Sequence, residues 1–283
     1  MAIEPSSRGS VNAVITTRGM SKRHRQRKLF SRNQFIVDAL IDVNLEVVTG
    51  RLTALVGESG SGKSTLASCL ALIEKPDAGE IWFEGKEISW NSPRKLVELR
   101  PRIQMVFQDS AGALNPTFTA AEIIAEPLEI QRLMRPPEIR SRVYELMEEV
   151  GLLPEWANRK TSEFSGGQRQ RLAIARAIAL KPTLLILDES LSGLDLCTQA
   201  QIINLLMDLR ESYALSLLLI SHDLGLVGQV ADYVAVMHQG RMVEQGCREE
   251  IFATPTHSAT QRLLASGYQF DQRARFAHAG ASI

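Results

Sequence analysis

Glycines, serines and a lysine are concentrated in one short stretch: Gly57, Glu58, Ser59, Gly60, Ser61, Gly62, Lys63, Ser64 and Thr65. The spacing fits the pattern G-x-x-x-x-G-K-[ST]. Because glycine has no Cβ, the backbone N–H groups of such a loop can all turn toward one anion. Lys63 can then reach the β- and γ-phosphates of a nucleotide, and the Ser64 hydroxyl can ligate Mg²⁺. We therefore predict a phosphate-binding loop for a nucleoside triphosphate with Mg²⁺.

The elements that flank this stretch support the prediction. Residues 52–56 form an apolar run typical of a buried parallel strand, and Leu66, Ala67 and Leu70 recur at helical spacing. The start of that helix adds partial positive charge where the phosphates would bind. A glycine-rich turn that matched by chance would lack this context. Kinases, GTPases, helicases and transporter ATPases all carry such a loop, so the loop alone does not name a function.

Polar residues also follow three other apolar runs that read as strands. These residues are Gln108, the pair Asp188 and Glu189, and His222. Ligands of open α/β sheets bind at the carboxyl ends of strands. We interpret Asp188 as a holder of Mg²⁺ and Glu189 as the general base that polarises an attacking water. Gln108 could ligate the metal or orient water, and His222 could hydrogen-bond the γ-phosphate; neither would carry weight alone.

A second glycine-bearing helix start occurs about 100 residues after the loop. It consists of Ser165, Gly166, Gly167 and Gln168. Such a start is physically a second anion site. One molecule then has one phosphate loop but two anion-binding sites. We therefore predict that the second site meets ATP held by another molecule, so that two chains sandwich two nucleotides head to tail.

The composition limits the class of protein. The chain has 283 residues, of which 45% are hydrophobic, so it can bury a large core. Basic and acidic residues balance at 32 each, so no overall basic field favours nucleic acid, and we predict no nucleic-acid partner. Cys69, Cys197 and Cys247 lie far apart and predict neither a disulfide framework nor a metal site. We expect a soluble chain, with any membrane spans supplied by another chain.

The remaining pattern predicts an α/β fold built on a P-loop NTPase core with a parallel sheet. Residues on both sides of the loop, including a hairpin around Glu84 and Gly85, predict an antiparallel β subdomain. Residues 35–47 read as two strands with a turn near Asp42, and the basic residues between 18 and 32 as a solvated loop, with a lipid-headgroup or nucleotide contact as the alternative. A helical subdomain is inserted at about 110–165, its helices joined by prolines at 127, 136, 137 and 154.

In order and spacing these motifs resemble the ATP-binding subunits of ABC transporters over about residues 13–246. The matching residues are the phosphate loop, Gln108, residues 164–171, Asp188 with Glu189, residues 192–195 and His222. The resemblance implies ATP and Mg²⁺ as ligands, with Glu189, His222 and Lys63 in catalytic roles. It adds Asp195 to the nucleotide site. It also implies a dimer with a second ATP-binding subunit, and it leaves the first twelve residues as a disordered N-terminus.

A finer resemblance joins the chain to the peptide/nickel import group. Residues 106–116, 123–128, 162–164 and 255–264 look like that group. The resemblance implies two transmembrane permease subunits, contacted near residues 108–128, and an extracytoplasmic solute-binding protein that acts indirectly. It implies a peripheral location on the cytoplasmic face of the inner (cell) membrane, and residues 247–283 as a C-terminal extension typical of the group. The cargo would be a peptide, nickel or a related small solute.

Several alternatives stay open. The second ATPase could be identical or different, and the same group includes ATPases of non-transport complexes, such as phosphonate processing. An ATPase that acts on nucleic acid or ribosomes commonly has two cassettes or metal-binding inserts, and this sequence has neither. Family members usually have alanine at Gly193 and proline or alanine at Ser190. An aromatic residue normally stacks on adenine; here His24, Phe30 or Phe35 would do so.

Overall fold

The computed structural model describes residues 12–27, 34–108, 110–132 and 134–266. The described strands are β1 Ala13–Arg27, β2 Gln34–Val48, β3 Leu52–Gly57, β4 Ala78–Phe83, β5 Lys86–Glu87, β6 Ile103–Val106, β7 Leu184–Asp188, β8 Ser216–Ile220, β9 Tyr233–His238 and β10 Arg241–Cys247. The described α-helices are α1 Lys63–Leu70, α2 Pro93–Leu99, α3 Ser110–Ala113, α4 Ala120–Gln131, α5 Pro136–Glu149, α6 Gly166–Ile178, α7 Leu196–Tyr213, α8 Leu224–Val230 and α9 Arg248–Ala253. Short 3₁₀ turns span Arg100–Arg102, Pro154–Asn158 and Thr161–Glu163, and residues 258–266 are also helical.

A six-stranded sheet forms the centre of the molecule, in the order β10-β9-β3-β8-β7-β6. Strands β9, β3, β8, β7 and β6 pair in parallel, and β10 pairs antiparallel with β9 at the edge. All residues of β3, β7 and β8 are buried, as expected for parallel strands covered on both faces. The predicted P-loop NTPase core with a parallel sheet is therefore confirmed, and the carboxyl ends of β3, β6, β7 and β8 lie along one edge.

The predicted antiparallel β subdomain is also present, as a four-stranded sheet in the order β2-β1-β4-β5. The hairpin around Glu84 and Gly85 forms as expected, with Trp82 opposite Glu87 and Phe83 opposite Lys86. Apolar residues of this sheet and of α1 pack in a common buried cluster. The antiparallel sheet thus lies against the helix that follows the phosphate loop.

The interpretation of the basic residues as a solvated loop was wrong as far as Arg27. These residues continue β1, which pairs with β2 on one side and β4 on the other. Lys22 finds Glu74 at 3.3 Å, and the Arg23 Nε donates to Asp38 at 2.7 Å. Residues 15–21 of β1 pair with both β2 and β4, whereas residues 22–27 pair with β2 alone. Pairing with β2, together with partners for the charges of Lys22 and Arg23, stabilises a strand that local composition does not favour. Lys28 and Arg32 lie outside the described residues.

The turn expected near Asp42 is instead an irregularity within one continuous strand, β2. Asp42 has a φ of 53°, and the register between β1 and β2 shifts on either side of it. The backbone N–H of Asp42 donates to Ser21 Oγ at 3.0 Å, so the displaced amide has a partner on the neighbouring strand. This geometry is that of a β-bulge, which bends a strand without ending it.

Helices α4 and α5 form the inserted helical unit. Thr119 and Glu122 make a reciprocal capping box at the start of α4. Pro127 was expected to join two helices but lies inside α4. A proline inside a helix costs about 3 kcal/mol. The buried side chains Ile123, Ile124 and Leu128 of the same helix offset this cost by packing into the main core.

Helix α7 contacts a different helix at each of its ends. At its start, a Cβ on Gly167 of α6 would lie 2.5 Å from Thr198 Cγ2, so only glycine permits this approach. At its end, the Tyr213 hydroxyl donates to Glu149 of α5 and accepts from Arg142 Nη2 at 2.5 Å. Helix α7 therefore contacts α6 at its start and α5 of the helical unit at its end.

The C-terminal segment is anchored to strand β10 through one carboxylate. Glu244 accepts hydrogen bonds from the Thr256 N–H at 2.8 Å, the Thr256 hydroxyl at 2.9 Å and the His257 N–H at 3.1 Å. Burial alone would raise the pKa of Glu244, but these hydrogen bonds outweigh it and hold the pKa below its ordinary value. Leu264 is buried against the main core.

Replacing the two glycines Gly79 and Gly85, near the hairpin of β4 and β5, should destabilise the protein by different amounts. Both Gly79 and Gly85 have positive φ, +87° and +75°. A Cβ on Gly79 would lie 2.5 Å from the Gly19 carbonyl oxygen, whereas a Cβ on Gly85 meets nothing within 4 Å. Gly85→Ala should lower the free energy of unfolding by about 1 kcal/mol, and Gly79→Ala by about 1–3 kcal/mol more. Urea denaturation measures both; equal losses would contradict the predicted clash.

The anchor at Glu244 predicts a pH-dependent contact. Because folding lowers the pKa of Glu244, the ionised carboxylate stabilises the folded protein at every pH above the ordinary pKa of a glutamate. This contribution is lost as the pH falls through the lowered pKa. Glu244→Gln should therefore speed hydrogen exchange of residues 255–264 at neutral pH, and acid should do the same in the unaltered protein. Exchange measured by mass spectrometry, corrected for intrinsic rates, checks this. Glu87→Gln on the exposed hairpin is the control, and unchanged exchange in the Glu244 variant would reject the anchor.

Candidate functional site

The predicted phosphate loop lies between β3 and α1, as its sequence requires. Lys63 is buried, and its ammonium donates to the carbonyls of Gly57 and Glu58, each at 2.9 Å. Gly57 has a φ of +154°, and a Cβ there would lie 2.2 Å from the Met237 carbonyl oxygen. The first hydrogen bond of α1 runs from the Leu66 N–H to the Gly62 carbonyl, so the amides of the preceding residues can face an anion.

The loop is braced by a turn whose role the sequence did not reveal. The Gly240 N–H donates to the Ser61 carbonyl at 3.0 Å, and the Gly240 carbonyl accepts from the Ile41 N–H at 2.8 Å. A Cβ on Gly62 would lie 2.3 Å from the Ala39 carbonyl oxygen. Gln239 and Gly240 form the turn between β9 and β10. The signal that could have identified the brace is the position of that hairpin next to β3, which only the sheet order reveals.

Two oxygen atoms converge beside the loop, where a metal ion was predicted. The Ser64 hydroxyl donates to Asp188 Oδ1 at 3.2 Å. Hydroxyl and carboxylate oxygens are ligands that Mg²⁺ accepts, and it takes only one or two protein groups when phosphates complete its shell. Ser64 and Asp188 therefore fit such an ion. Among the described residues, no group of three or more histidine, cysteine or acidic side chains forms a separate metal cluster.

The residues after β6, β7 and β8 meet around one carboxylate. Gln108 Nε2 donates to Glu189 Oε2 at 2.9 Å, and His222 Nδ1 lies 3.9 Å from the same oxygen. Glu189 and His222 also line a small cavity of about 110 Å³. The structure thus brings Gln108 to Glu189 rather than to Ser64. A carboxylate in this position could accept a proton from a water in the cavity.

Glu189 has an unusual backbone conformation. Its φ of 44° lies in the left-handed region, which a residue with a side chain seldom adopts. The Glu189 N–H donates to the Ile220 carbonyl at 3.1 Å, and the Glu189 carbonyl accepts from the Ser192 hydroxyl at 2.6 Å. Residues held in sparsely populated conformations are concentrated at functional sites. The neighbouring strand and loop keep this carboxylate in place.

The charged groups beside the loop perturb one another. Burial lowers the pKa of Lys63, while the charges of Glu189 and Asp188 oppose that effect. Burial also raises the pKa of Asp188, and the Ser64 hydrogen bond opposes it in part. Each shift disfavours the charged form, because charge in this buried place lacks solvation. A triphosphate and a divalent cation would supply the missing partners.

Ser165, which was predicted to face a partner, and Asp195, which was assigned to the nucleotide site, are both helix caps. Ser165 caps α6: its hydroxyl accepts from the Gln168 N–H at 3.3 Å, and the Ser165 N–H donates to Gln168 Oε1 at 2.9 Å. Asp195 caps α7, accepting from the Thr198 N–H at 2.9 Å and the Thr198 hydroxyl at 2.7 Å, and these bonds lower its pKa. In the described part of the chain, no hydrogen bond or ion pair joins either residue to the phosphate loop.

The structure places one of the three candidates for base stacking near the loop. His24 Nε2 lies 3.3 Å from Thr65 Oγ1, and His24 Nδ1 lies 3.6 Å from Glu74 Oε1. Phe30 and the side chain of Phe35 lie outside the described residues. The stacking role of His24 remains a prediction, and its side chain lies beside the predicted phosphate loop.

In the described residues, no helix combines the length and the apolar character that crossing a membrane would require.

Known proteins resemble this chain in sequence. The sequence profile described as ABC transporter matches residues 40–192, more than half of the chain. The probable peptide ABC transporter ATP-binding protein y4tS of Sinorhizobium fredii is 46% identical over 237 residues, which are 84% of this chain and 67% of that protein. The glutathione import ATP-binding protein GsiA of Escherichia coli is 44% identical over 254 residues, 89% of this chain but only 41% of that protein.

Solved structures agree with the fold. The chain resembles cbiO1 from Clostridium perfringens, part of the ABC transporter complex cbiONQ, with a TM-score of 0.74 and 28% identity, covering 92% of this chain and 99% of that one. It also resembles the ATP-binding cassette MJ0796, solved as a dimer in a post-hydrolysis state bound to ADP and phosphate. For that cassette the TM-score is 0.72 and the identity 28%, and the match covers 83% of this chain and 98% of that one. This chain therefore belongs to the ABC transporter family of ATPases, in the group of ATP-binding subunits of peptide importers.

Proposed function

We propose that this chain binds and hydrolyses ATP, with Mg²⁺, to power an importer of peptides or related small solutes. The observation that carries the proposal is the convergence of Lys63, Asp188 and Glu189 at the carboxyl ends of the parallel strands β3 and β7, which are separated only by β8. Three groups with these chemistries suffice for phosphate binding, metal holding and water activation. The likeness to ATP-binding subunits of peptide and glutathione transporters supports the same function.

In this proposal the loop of residues 57–65 holds the triphosphate through its backbone amides and Lys63. Ser64 and Asp188 would hold Mg²⁺, and Gln108 is a further candidate ligand. When bound, the ion would neutralise negative charge that develops on the phosphate oxygens. Glu189 takes the proton of the attacking water, and His222 is placed beside it to contact the γ-phosphate. Lys63 balances negative charge in the transition state.

A second ATP-binding subunit completes each site. Ser165, Gly166, Gly167 and Gln168 form a helix start whose side-chain cap is already satisfied, which leaves its remaining amides for an anion. Because Ser165 makes no hydrogen bond to the phosphate loop of its own chain, the anion at this helix start would come from a partner. The dimeric structure of the similar cassette MJ0796 supports this arrangement. Homodimer and heterodimer fit it equally.

The transmembrane partner would bind beside residues 108–128. An open cavity of about 410 Å³ lies there, between the sheet and the helical unit. Its lining includes Leu114 and Pro127, and the exposed side chains of Ile73 and Phe107. Exposed apolar groups around a cavity are typical of a protein interface. Binding to two permease subunits through this surface would fix the chain at the cytoplasmic face of the inner membrane. ATP hydrolysis would then be coupled to the import of a solute that an extracytoplasmic binding protein delivers.

Peptides are the proposed cargo ahead of nickel. One similar protein is described as a peptide transporter subunit, and another as serving glutathione, itself a tripeptide. The residues of this chain do not contact cargo in the proposal, so selection would belong to the permease and binding protein. The C-terminal segment from residue 247, anchored at Glu244, would belong to the same group of importers.

Replacing the proposed base separates binding from turnover. Glu189→Gln keeps the shape and the hydrogen bond from Gln108 but cannot accept a proton. We expect ATP affinity to be retained and the hydrolysis rate to fall at least about 100-fold. Phosphate release and equilibrium nucleotide binding measure the two quantities. Glu87→Gln is the control, and hydrolysis at an undiminished rate in the Glu189 variant would reject the assignment.

The sandwich predicts different defects for two residues in the Glu189→Gln background. Lys63→Ala should weaken ATP binding by a single chain and, with it, ATP-dependent dimerisation, because Lys63 acts within its own chain. Ser165→Arg should prevent dimerisation but leave ATP binding by the single chain unchanged. Calorimetry at low protein concentration measures binding, and light scattering after size exclusion measures the dimer. If both changes weakened single-chain binding equally, Ser165 would belong to its own chain's site.

A further inference from the structure

His24 lies where strand β1 passes the helix that begins in the phosphate loop. Its side chain is partly exposed, and both of its ring nitrogens face polar atoms. Nε2 is 3.3 Å from Thr65 Oγ1, and Nδ1 is 3.6 Å from Glu74 Oε1. The imidazole thus joins the first turn of α1 to an acidic residue beyond its end.

Thr65 occupies the third position of α1, within the turn whose amides precede the first helical hydrogen bond. A threonine in a helix divides between two side-chain rotamers, because its hydroxyl can bond the backbone carbonyl one turn earlier. For Thr65 that carbonyl belongs to Ser61, which already accepts from the Gly240 N–H. In the structure the Thr65 hydroxyl lies beside His24 Nε2, so the contact with His24 favours this rotamer.

Glu74 orients the imidazole in turn. A carboxylate beside Nδ1 favours a proton on that nitrogen and fixes the direction of the ring. Glu74 is itself held by the Lys22 ammonium at 3.3 Å, and Lys22 also lies 3.5 Å from Asp77. These charged groups come from β1 and from the residues after α1, so the arrangement joins two elements that are distant in the sequence.

We propose that His24 is a positioning residue for the triphosphate, acting through Thr65. Glu74 holds the imidazole, the imidazole holds the Thr65 hydroxyl, and the hydroxyl is kept in place at the turn that receives the phosphates. The inference rests on the proposed function, since it takes the loop to be an ATP site. It differs from base stacking, in which the face of the imidazole ring, and not its nitrogens, would contact the adenine.

The two roles can be separated because one needs the nitrogens and the other needs the ring. His24→Phe keeps a flat ring but cannot bond Thr65, whereas His24→Gln keeps a polar group within reach but has no ring. Inorganic tripolyphosphate with Mg²⁺ has the phosphates of ATP and no base. Binding of Mg²⁺–tripolyphosphate and of Mg²⁺–ATP to each variant is measured by calorimetry. His257→Gln, in the C-terminal segment, controls for loss of a histidine.

We expect His24→Phe to weaken ATP and tripolyphosphate by the same factor, about three- to tenfold for one hydrogen bond. His24→Gln should restore much of that loss. In a Thr65→Val background, His24→Phe should add no further loss, because the hydroxyl through which it acts is gone. Melting temperatures without nucleotide show that each variant folds, and His24→Ala replaces His24→Phe if the latter does not.

Three results would overturn the inference. The first is an unchanged affinity of the His24→Phe variant for tripolyphosphate. The second is a loss of ATP affinity in the His24→Gln variant that the His24→Phe variant does not show, because that pattern would mean that the ring stacks on the base. Full additivity of His24→Phe and Thr65→Val is the third. Failure of the unaltered protein to bind either ligand would overturn the proposed function as well, whereas normal binding with unaffected variants would overturn only the role of His24.

Discussion

The burial of the parallel sheet on both faces is the constraint on which the rest of the structure depends. Every residue of β3, β7 and β8 is buried, so these strands cannot carry a charged group along their length except at an end. The order β3-β8-β7-β6 then brings four carboxyl ends to one edge. Lys63, Asp188, Glu189, Gln108 and His222 all follow those ends. The polar and charged side chains of the site are concentrated at this edge because the buried strands cannot accommodate them along their length.

The sequence predicts this part of the molecule well, and for the same reason. A strand buried on both faces reads as an apolar run, and the polar residue after the run marks its end. Asp188 and His222 could be found in this way without any knowledge of sheet order. The order itself, which makes β7 the neighbour of β8 and places Gln108 against Glu189, depends on pairing between residues far apart in the chain.

The errors came from contacts that a local reading cannot detect. The basic residues up to Arg27 form a strand because β2 pairs with them, although their composition is typical of a loop. Pro127 continues a helix because its neighbours pack into the core. The brace from Gly240 to Ser61 joins residues 179 positions apart by sequence number, and nothing in either segment announces the other.

The contacts of α7 have a consequence for motion. This helix has 18 residues and so spans about 27 Å. At its start, beside Asp195, the helix contacts Gly167 of α6. At its end, Tyr213 is hydrogen-bonded to Glu149 of α5 in the helical unit. A rod attached at both ends cannot tilt at one of them without carrying the other. A displacement of α7 at its start would therefore be transmitted through Tyr213 to Arg142 and Glu149 of α5.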